Sequence, residues 1–283
     1  MTVLLALGGA LAYGLSDFVG GTASRRTSPW SVALVGACVG GLLVLLGALL
    51  LGGDPRPADL GWAALGGLGN GIGTAFLYRG LGTGRMGVVG PVSAVGAAVV
   101  PVLVDVVGGQ RLPTLVWLGV VLALPAIWLV SREPAAAGAI TATRGPRTAV
   151  GLLDGIVAGA GFGTLFAALA QVPPEAGLLP VAFNQLVAAV LVVAVASTMR
   201  VSWVPRHRAA GLGAVCGALG SGATVLFLLA SQRGSLTVAA VLTALYPAFT
   251  VLLATAVLRE RVHRGQAWGL LLSATAVLLV VAG

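Results

Sequence analysis

The sequence contains no lysine. That excludes a phosphate-cradling loop lysine and any Schiff-base mechanism. Charge is scarce altogether: charged residues make up 8% of the chain, against about a quarter in an ordinary globular domain. Too little polar surface remains to cover a water-soluble body. Cysteine is confined to Cys38 and Cys216, both inside apolar runs and far from any partner at metal-ligand spacing. They read as small buried hydrophobes. The two histidines, His207 and His263, fall in arginine-bearing loops without zinc-ligand spacing, so no metal and no cofactor is expected.

What is present is apolar. Hydrophobic residues are 58% of 283 and the mean hydropathy is +1.04, which defines an all-α polytopic membrane protein with the lipid bilayer as its solvent. The net charge of +8 comes from 16 arginines. They stand singly or in small groups between apolar runs, the pattern that orients membrane proteins, so nucleic acid is excluded as a partner. Met1-Thr2-Val3-Leu4 lacks a basic lead-in and a clear small-residue cleavage site follows nowhere near, so this run reads as a retained first span.

Residues 84–119 and 234–269 run in parallel at an offset of 150 positions, with Gly84/Gly234, Val88/Val238, Ala94/Ala244, Ala98/Ala248, Arg111/Arg261 and Gly119/Gly269 among the identities. Each copy has a small-residue entry, a proline-interrupted apolar run, a short polar knot and a second apolar run. This is an internal duplication. Polar interruptions cut the chain into ten apolar segments of about 20 residues, five on each side of a helix-breaking stretch. The expected organisation is therefore a first five-helix repeat over residues 1–131, a linker over 132–147 and a second five-helix repeat over 148–283. Five is odd, so the second copy enters the bilayer from the opposite side. Ten transmembrane helices as two inverted repeats is the arrangement of carriers whose site lies between the repeats near the midplane.

Small residues at four-residue spacing, Gly67/Gly71, Gly69/Gly73, Gly159/Gly163 and Gly213/Gly217, are read as close helix contacts. The loops after helices one, three, five, seven and nine carry Arg25, Arg26, Arg79, Arg85, Arg132, Arg144, Arg147, Arg200, Arg206, Arg208, Arg259, Arg261 and Arg264, against Arg56, Arg111 and Arg233 on the other side. The positive-inside rule then places both termini outside the cytoplasm.

A charge within a bilayer costs about 2.5 to 3.5 kcal/mol on insertion scales, so each one asks for a reason. Asp17 lies one turn after Tyr13 and shares its helix face. Two readings compete: a cavity carboxylate that binds a substrate amine or exchanges a proton, or a side chain that reaches the interface or pairs with Arg25. Asn70, Thr74 and Tyr78 form a polar stripe at four-residue steps, lining a substrate path or bonding between helices. Asn184 and Gln185 are adjacent amides in an apolar run, of which at least one faces inward. Pro91 and Pro247 are expected to break the fourth and ninth helices, with the hydroxyls of Ser93 and Thr243 at equivalent positions and Tyr246 directly before the second proline. Asp105, near Arg111, and Asp154, at the opening of helix six where it suits the helix dipole, read as structural.

Tyr13-Gly14-Leu15-Ser16-Asp17-Phe18, echoed by Phe162-Gly163, is similar to the start of each repeat in the drug/metabolite transporter superfamily, EamA type. Leu258-Arg259-Glu260-Arg261 followed by Gln266-Ala267-Trp268-Gly269 resembles that family's glutamate-containing turn before the last helix, although Gln110 replaces the acid in the first copy. The resemblance spans essentially the whole chain. It implies two five-helix copies with both termini in the cytoplasm, opposite to the arginine count, and it implies transport. The resulting expectation is an inner-membrane secondary transporter, in the export direction, of small metabolites, amino acids or drug-like compounds by alternating access, with protons as the candidate coupling ion and no enzymatic activity. The alternatives are a membrane subunit of a multi-component permease and a lipid-modifying enzyme, which would need a catalytic cluster at one depth. The sequence shows no such cluster, and it leaves the oligomeric state open.

Overall fold

The computed structural model describes residues 1–82, 86–131, 146–258 and 264–282. Most of the linker, the turn containing Glu260, and Arg85, Arg132, Arg144, Arg259, Arg261 and His263 lie outside the described residues. Among the described residues the chain is helical, without a strand. The first half gives α1 (Thr2–Ser24), α2 (Pro29–Leu51), α3 (Pro57–Gly82), α4 (Met86–Val107) and α5 (Thr114–Ser131). The second gives α6 (Pro146–Leu169), α7 (Leu179–Thr198), α8 (Leu212–Ser231), α9 (Leu236–Thr243), α10 (Tyr246–Leu258) and α11 (Arg264–Ala282).

Local chemistry sets several of these ends. Pro29 begins α2, where its missing N–H costs nothing, and Gly52 ends it at φ 76°, a conformation glycine adopts freely. Ser235 caps α9, its Oγ accepting from Val238 N–H at 3.2 Å. The expected single ninth helix is two pieces. α9 stops at Thr243 and α10 restarts at Tyr246-Pro247, because proline at 247 has no N–H to bond back to the Thr243 carbonyl. The fourth helix differs: α4 is one element through position 91, so no break accompanies Pro91.

Among the described residues, six helices are long and apolar enough to cross a membrane, and three further apolar stretches, Val92–Val107, Thr114–Val130 and Leu236–Thr250, are shorter. α3 is long, at 26 residues, but its glycines and Asn70 dilute its hydropathy. Large apolar side chains face outward along these helices, including Leu42, Leu46, Leu49 and Leu50 on α2 and Trp268, Leu271 and Leu278 on α11. An exposed apolar belt of this extent is what lipid covers. Cys38 belongs to that outer face and is exposed, contrary to the expected burial; Cys216 is buried.

Packing pairs the two halves element by element. α1 lies on α8 as α6 lies on α3; α2 lies on α8 as α7 lies on α3; α4 lies on α6 as α9 and α10 lie on α1. α2 also meets α7, and α5 meets α11. Small residues permit this proximity. A methyl group on Gly69 or Gly161 would run into the facing glycine's carbonyl, and one on Gly67 would stand 2.6 Å from the Asn184 carbonyl. Loop contacts sort into two ends. At one, Ser28 donates to the Ser202 carbonyl and Gly82 sits against Ser24. At the other, Asp54 N–H donates to the Glu175 carbonyl at 2.8 Å, Gln232 Nε2 donates to the Val172 carbonyl at 3.1 Å, and Gly234 packs on Thr2. The first end carries Arg25, Arg26, Arg200, Arg206 and Arg208.

Candidate functional site

The first three helices of each half surround a cavity of about 570 Å³, its open mouth included. Its wall takes Tyr13, Ser16 and Asp17 from α1; Ala33, Gly36 and Ala37 from α2; and Asn70, Gly71, Thr74, Leu77 and Tyr78 from α3. The second half adds Phe162 from α6; Gln185, Ala188 and Val192 from α7; and Cys216, Gly217, Gly220, Ser221 and Thr224 from α8. Glycine and alanine make room by leaving the wall thin. The wall residues lie in the later parts of α1 and α3, the early parts of α2 and α8 and the middle of α7, so the cavity sits nearer the arginine-rich end. Asp17 is seven residues before the end of α1 at Ser24, a rise of about 10 Å.

Aromatic side chains close the opposite end. Phe166 and Phe227 stack with centroids 4.3 Å apart, and Tyr13 meets Phe166 at 6.1 Å and Tyr246 at 6.3 Å. Phe227 is fully buried and Phe166 nearly so. Beyond this floor the early part of α1 packs without a gap: Ala6 and Ala10 are fully buried, and Thr243 Oγ1 donates to the Ala6 carbonyl at 3.4 Å.

Hydrogen-bond direction can be assigned around the cavity, because three hydroxyls commit their only proton to backbone. Thr224 Oγ1 donates to the Gly220 carbonyl at 2.9 Å, so Tyr13 donates its phenol proton to Thr224 Oγ1 at 2.8 Å. Ser16 Oγ donates to the Cys216 carbonyl at 3.1 Å, so Tyr78 donates to Ser16 Oγ at 3.4 Å. Ser93 Oγ donates to the Gly90 carbonyl at 3.1 Å, so Tyr246 donates to Ser93 Oγ at 3.1 Å. All three tyrosines of the chain thus spend their protons on neighbours. Asp17 is left without a hydrogen-bond or ion-pair partner among the described residues, and the expected alternative, pairing with Arg25, does not occur.

The amides form a second cluster. Asn70 Nδ2 donates to Asn184 Oδ1 at 3.0 Å and to Gln185 Oε1 at 2.6 Å, while Thr74 Oγ1 donates to Asn70 Oδ1 at 3.3 Å. Gln185 reaches the cavity wall; Asn184 is fully buried behind it, its Nδ2 unpartnered and facing Gly66. The structure therefore brings Tyr13, Asp17, Asn70, Thr74, Tyr78 and Gln185 together in one wall. Ser93, Thr243 and Tyr246 are not in it; they belong to the buried floor. Pro247 lies at the α9/α10 break beside them.

Two acids serve other ends than expected. Asp105 does not pair with Arg111; its Oδ2 accepts from Thr237 N–H at 2.7 Å and so helps Ser235 cap α9. Asp154 does not open α6. It lies well inside that helix, 1% exposed, ion-paired with Arg79, whose side chain is 23% exposed and lies over the Phe76 ring at 4.3 Å. Arg79 is therefore a helix-packing residue and not a loop charge.

Sequence reasoning missed Thr224, Ser16, Cys216 and the Phe166/Phe227 floor. For Thr224 the signal was present: the offset of 150 carries Thr74 onto it. The same reading places Phe162 opposite Tyr13 and Phe166 opposite Asp17, at an offset of 149. Only one copy carries the acid.

The EamA-like transporter family model matches the chain twice, over residues 1–132 and 149–282. A solved crystal structure with 17% sequence identity superposes with a TM-score of 0.76, covering 99% of this chain and 96% of that one. At that identity the likeness concerns the fold. No curated protein matches the sequence.

Proposed function

The chain belongs to the EamA-like transporter family and is a multi-pass membrane protein; from this premise we propose that it is an inner-membrane secondary transporter that moves a small metabolite, amino acid or drug-like compound by alternating access. In this reading ten spans form two inverted five-helix halves, with α9 and α10 together making one of them. The observation that carries it is the cavity itself, walled by equivalent helices of the two halves, closed by aromatic rings at one end and holding a single unpartnered carboxylate. Reciprocal packing of α1 on α8 and α6 on α3 supports a rocking motion, because each half offers the other the same kind of surface.

The position of the cavity supports export. It lies toward the arginine-rich end, which the positive-inside rule assigns to the cytoplasm, so this state takes its load from inside the cell. Asp17 is the candidate coupling residue. The ionisable groups nearest to it are the phenols of Tyr13, Tyr78 and Tyr246 and the thiol of Cys216, all neutral around neutral pH in their unperturbed forms.

The test is flux in proteoliposomes containing only the purified chain, with a mixed pool of labelled amino acids and small metabolites, with and without a pH gradient. A gradient-driven flux that Asp17→Asn uncouples is expected. Unchanged pH dependence in that variant would remove the coupling role, and no flux of any solute would favour a subunit that needs partners.

A further inference from the structure

The cavity has a charge and a hydrogen-bonding deficit that specify its ligand. Asp17 is the formally charged residue of the described wall, which contains no arginine or histidine. An anion entering it meets repulsion and no counter-charge. A zwitterion finds a partner for its ammonium, but for its carboxylate only the free Nε2 of Gln185, because both Asn70 Nδ2 protons are committed.

The same accounting shows what Asp17 lacks. Every hydroxyl beside it already donates elsewhere: Tyr13 to Thr224, Tyr78 to Ser16, Ser16 to the Cys216 carbonyl. Asp17 is half-buried and faces the open cavity, where a carboxylate gains from a donor held against it, and no described protein group supplies one. A ligand that carries a donor fills that place. The same wall carries the rings of Tyr13, Tyr78 and Phe162, aromatic groups of the kind that attract a cation, and no wall group repels one.

We propose that the cavity takes a small organic cation, a protonated amine on an apolar or aromatic body, with the ammonium on Asp17 and the body against the aromatic and glycine-lined wall. This names the ligand class of the site in the transport reading and rests on that reading only for the site's use.

The experiment titrates the purified full chain in detergent micelles with four probes of matched shape: 2-phenylethylammonium, neutral 2-phenylethanol, anionic 3-phenylpropanoate and zwitterionic phenylalanine, followed by calorimetry. The cation is expected to bind at least about tenfold more tightly than the alcohol, the scale of one buried charge contact, and the anion not to bind. Asp17→Asn is expected to abolish the difference between cation and alcohol. Should that variant fail to fold, the wild-type ranking alone decides. Equal affinity for cation and alcohol, tighter binding of the anion or zwitterion, or no binding of the cation at millimolar concentration would overturn the proposal. Loading 2-phenylethylammonium into proteoliposomes separates the two readings. A cation that binds but never crosses keeps this assignment and removes transport, whereas carriage of an acid with no cation binding does the reverse.

Discussion

At the scale of single residues, the site depends on where protons are already spent. Tyr13, Tyr78 and Tyr246 differ in helix and depth, yet each donates to a hydroxyl that in turn donates to a backbone carbonyl. The rings are thereby locked, and Asp17 is isolated. The Arg79–Asp154 pair is the opposite case, a buried carboxylate held through Oδ1 by an arginine that also lies over the Phe76 ring, although Asp154 Oδ2 has no partner of its own among the described residues. Removing one member leaves the other unmatched, so Asp154→Ala is expected to cost about 3 kcal/mol, the low end for a broken buried pair, because Arg79 keeps 23% exposure. Thermal unfolding in detergent of both single variants and the double variant measures it. The double variant should be less destabilised than the sum of the singles, and strict additivity would show that the two charges do not act as a pair.

At the scale of elements, glycine decides how near two helices come. Gly217 of α8 faces the Gly36 carbonyl of α2, with no room for a methyl group, whereas Gly222 of the same helix has nothing within 4 Å. Gly217→Ala is expected to destabilise by about 1 to 3 kcal/mol through overpacking; Gly222→Ala is expected to leave stability unchanged or raise it slightly, since alanine is the better helix former. Equal melting temperatures for the two variants would contradict the packing described. This level of structure was well legible in the sequence. Four-residue glycine spacing on α3, α6 and α8 predicted the close faces. The α9/α10 break was legible at Pro247 for the same reason that Pro91 misled: a proline forbids one backbone bond, but whether a helix stops or bends around that loss depends on neighbours that a sequence does not list. Asp105 and Asp154 were misplaced on equal grounds. Their partners, Thr237 and Arg79, are 132 and 75 positions away, and only the folded packing brings them together.

At the scale of the whole molecule, the cavity's gathering of Tyr13, Asp17, Asn70, Thr74, Tyr78 and Gln185 was foreseeable as a set of polar residues on inward faces, but not as one wall. Depth along each helix and rotation about it are set by packing against six helices at once. The arrangement makes a topological prediction. Gly220 lines the cavity and is half-buried, whereas Cys38 faces outward and Cys216 is buried, so in a Cys38→Ser, Cys216→Ser background a charged, membrane-impermeant thiol reagent should modify Gly220→Cys from the arginine-rich face and not from the other. Oriented membrane vesicles, labelled and analysed by mass, decide this. Modification from the opposite face alone would reverse the assigned mouth.

The duplicated halves are not chemically equal, since Phe166 stands in the second copy where Asp17 stands in the first. If the halves exchange shapes as the cavity changes sides, the exchange is no symmetry operation, because the acid always travels with the first copy. The inward and outward forms then differ in resting energy and in grip on a charged cargo. On that condition, a machine assembled from near-twins has a bias toward one resting posture, to which this single carboxyl group contributes.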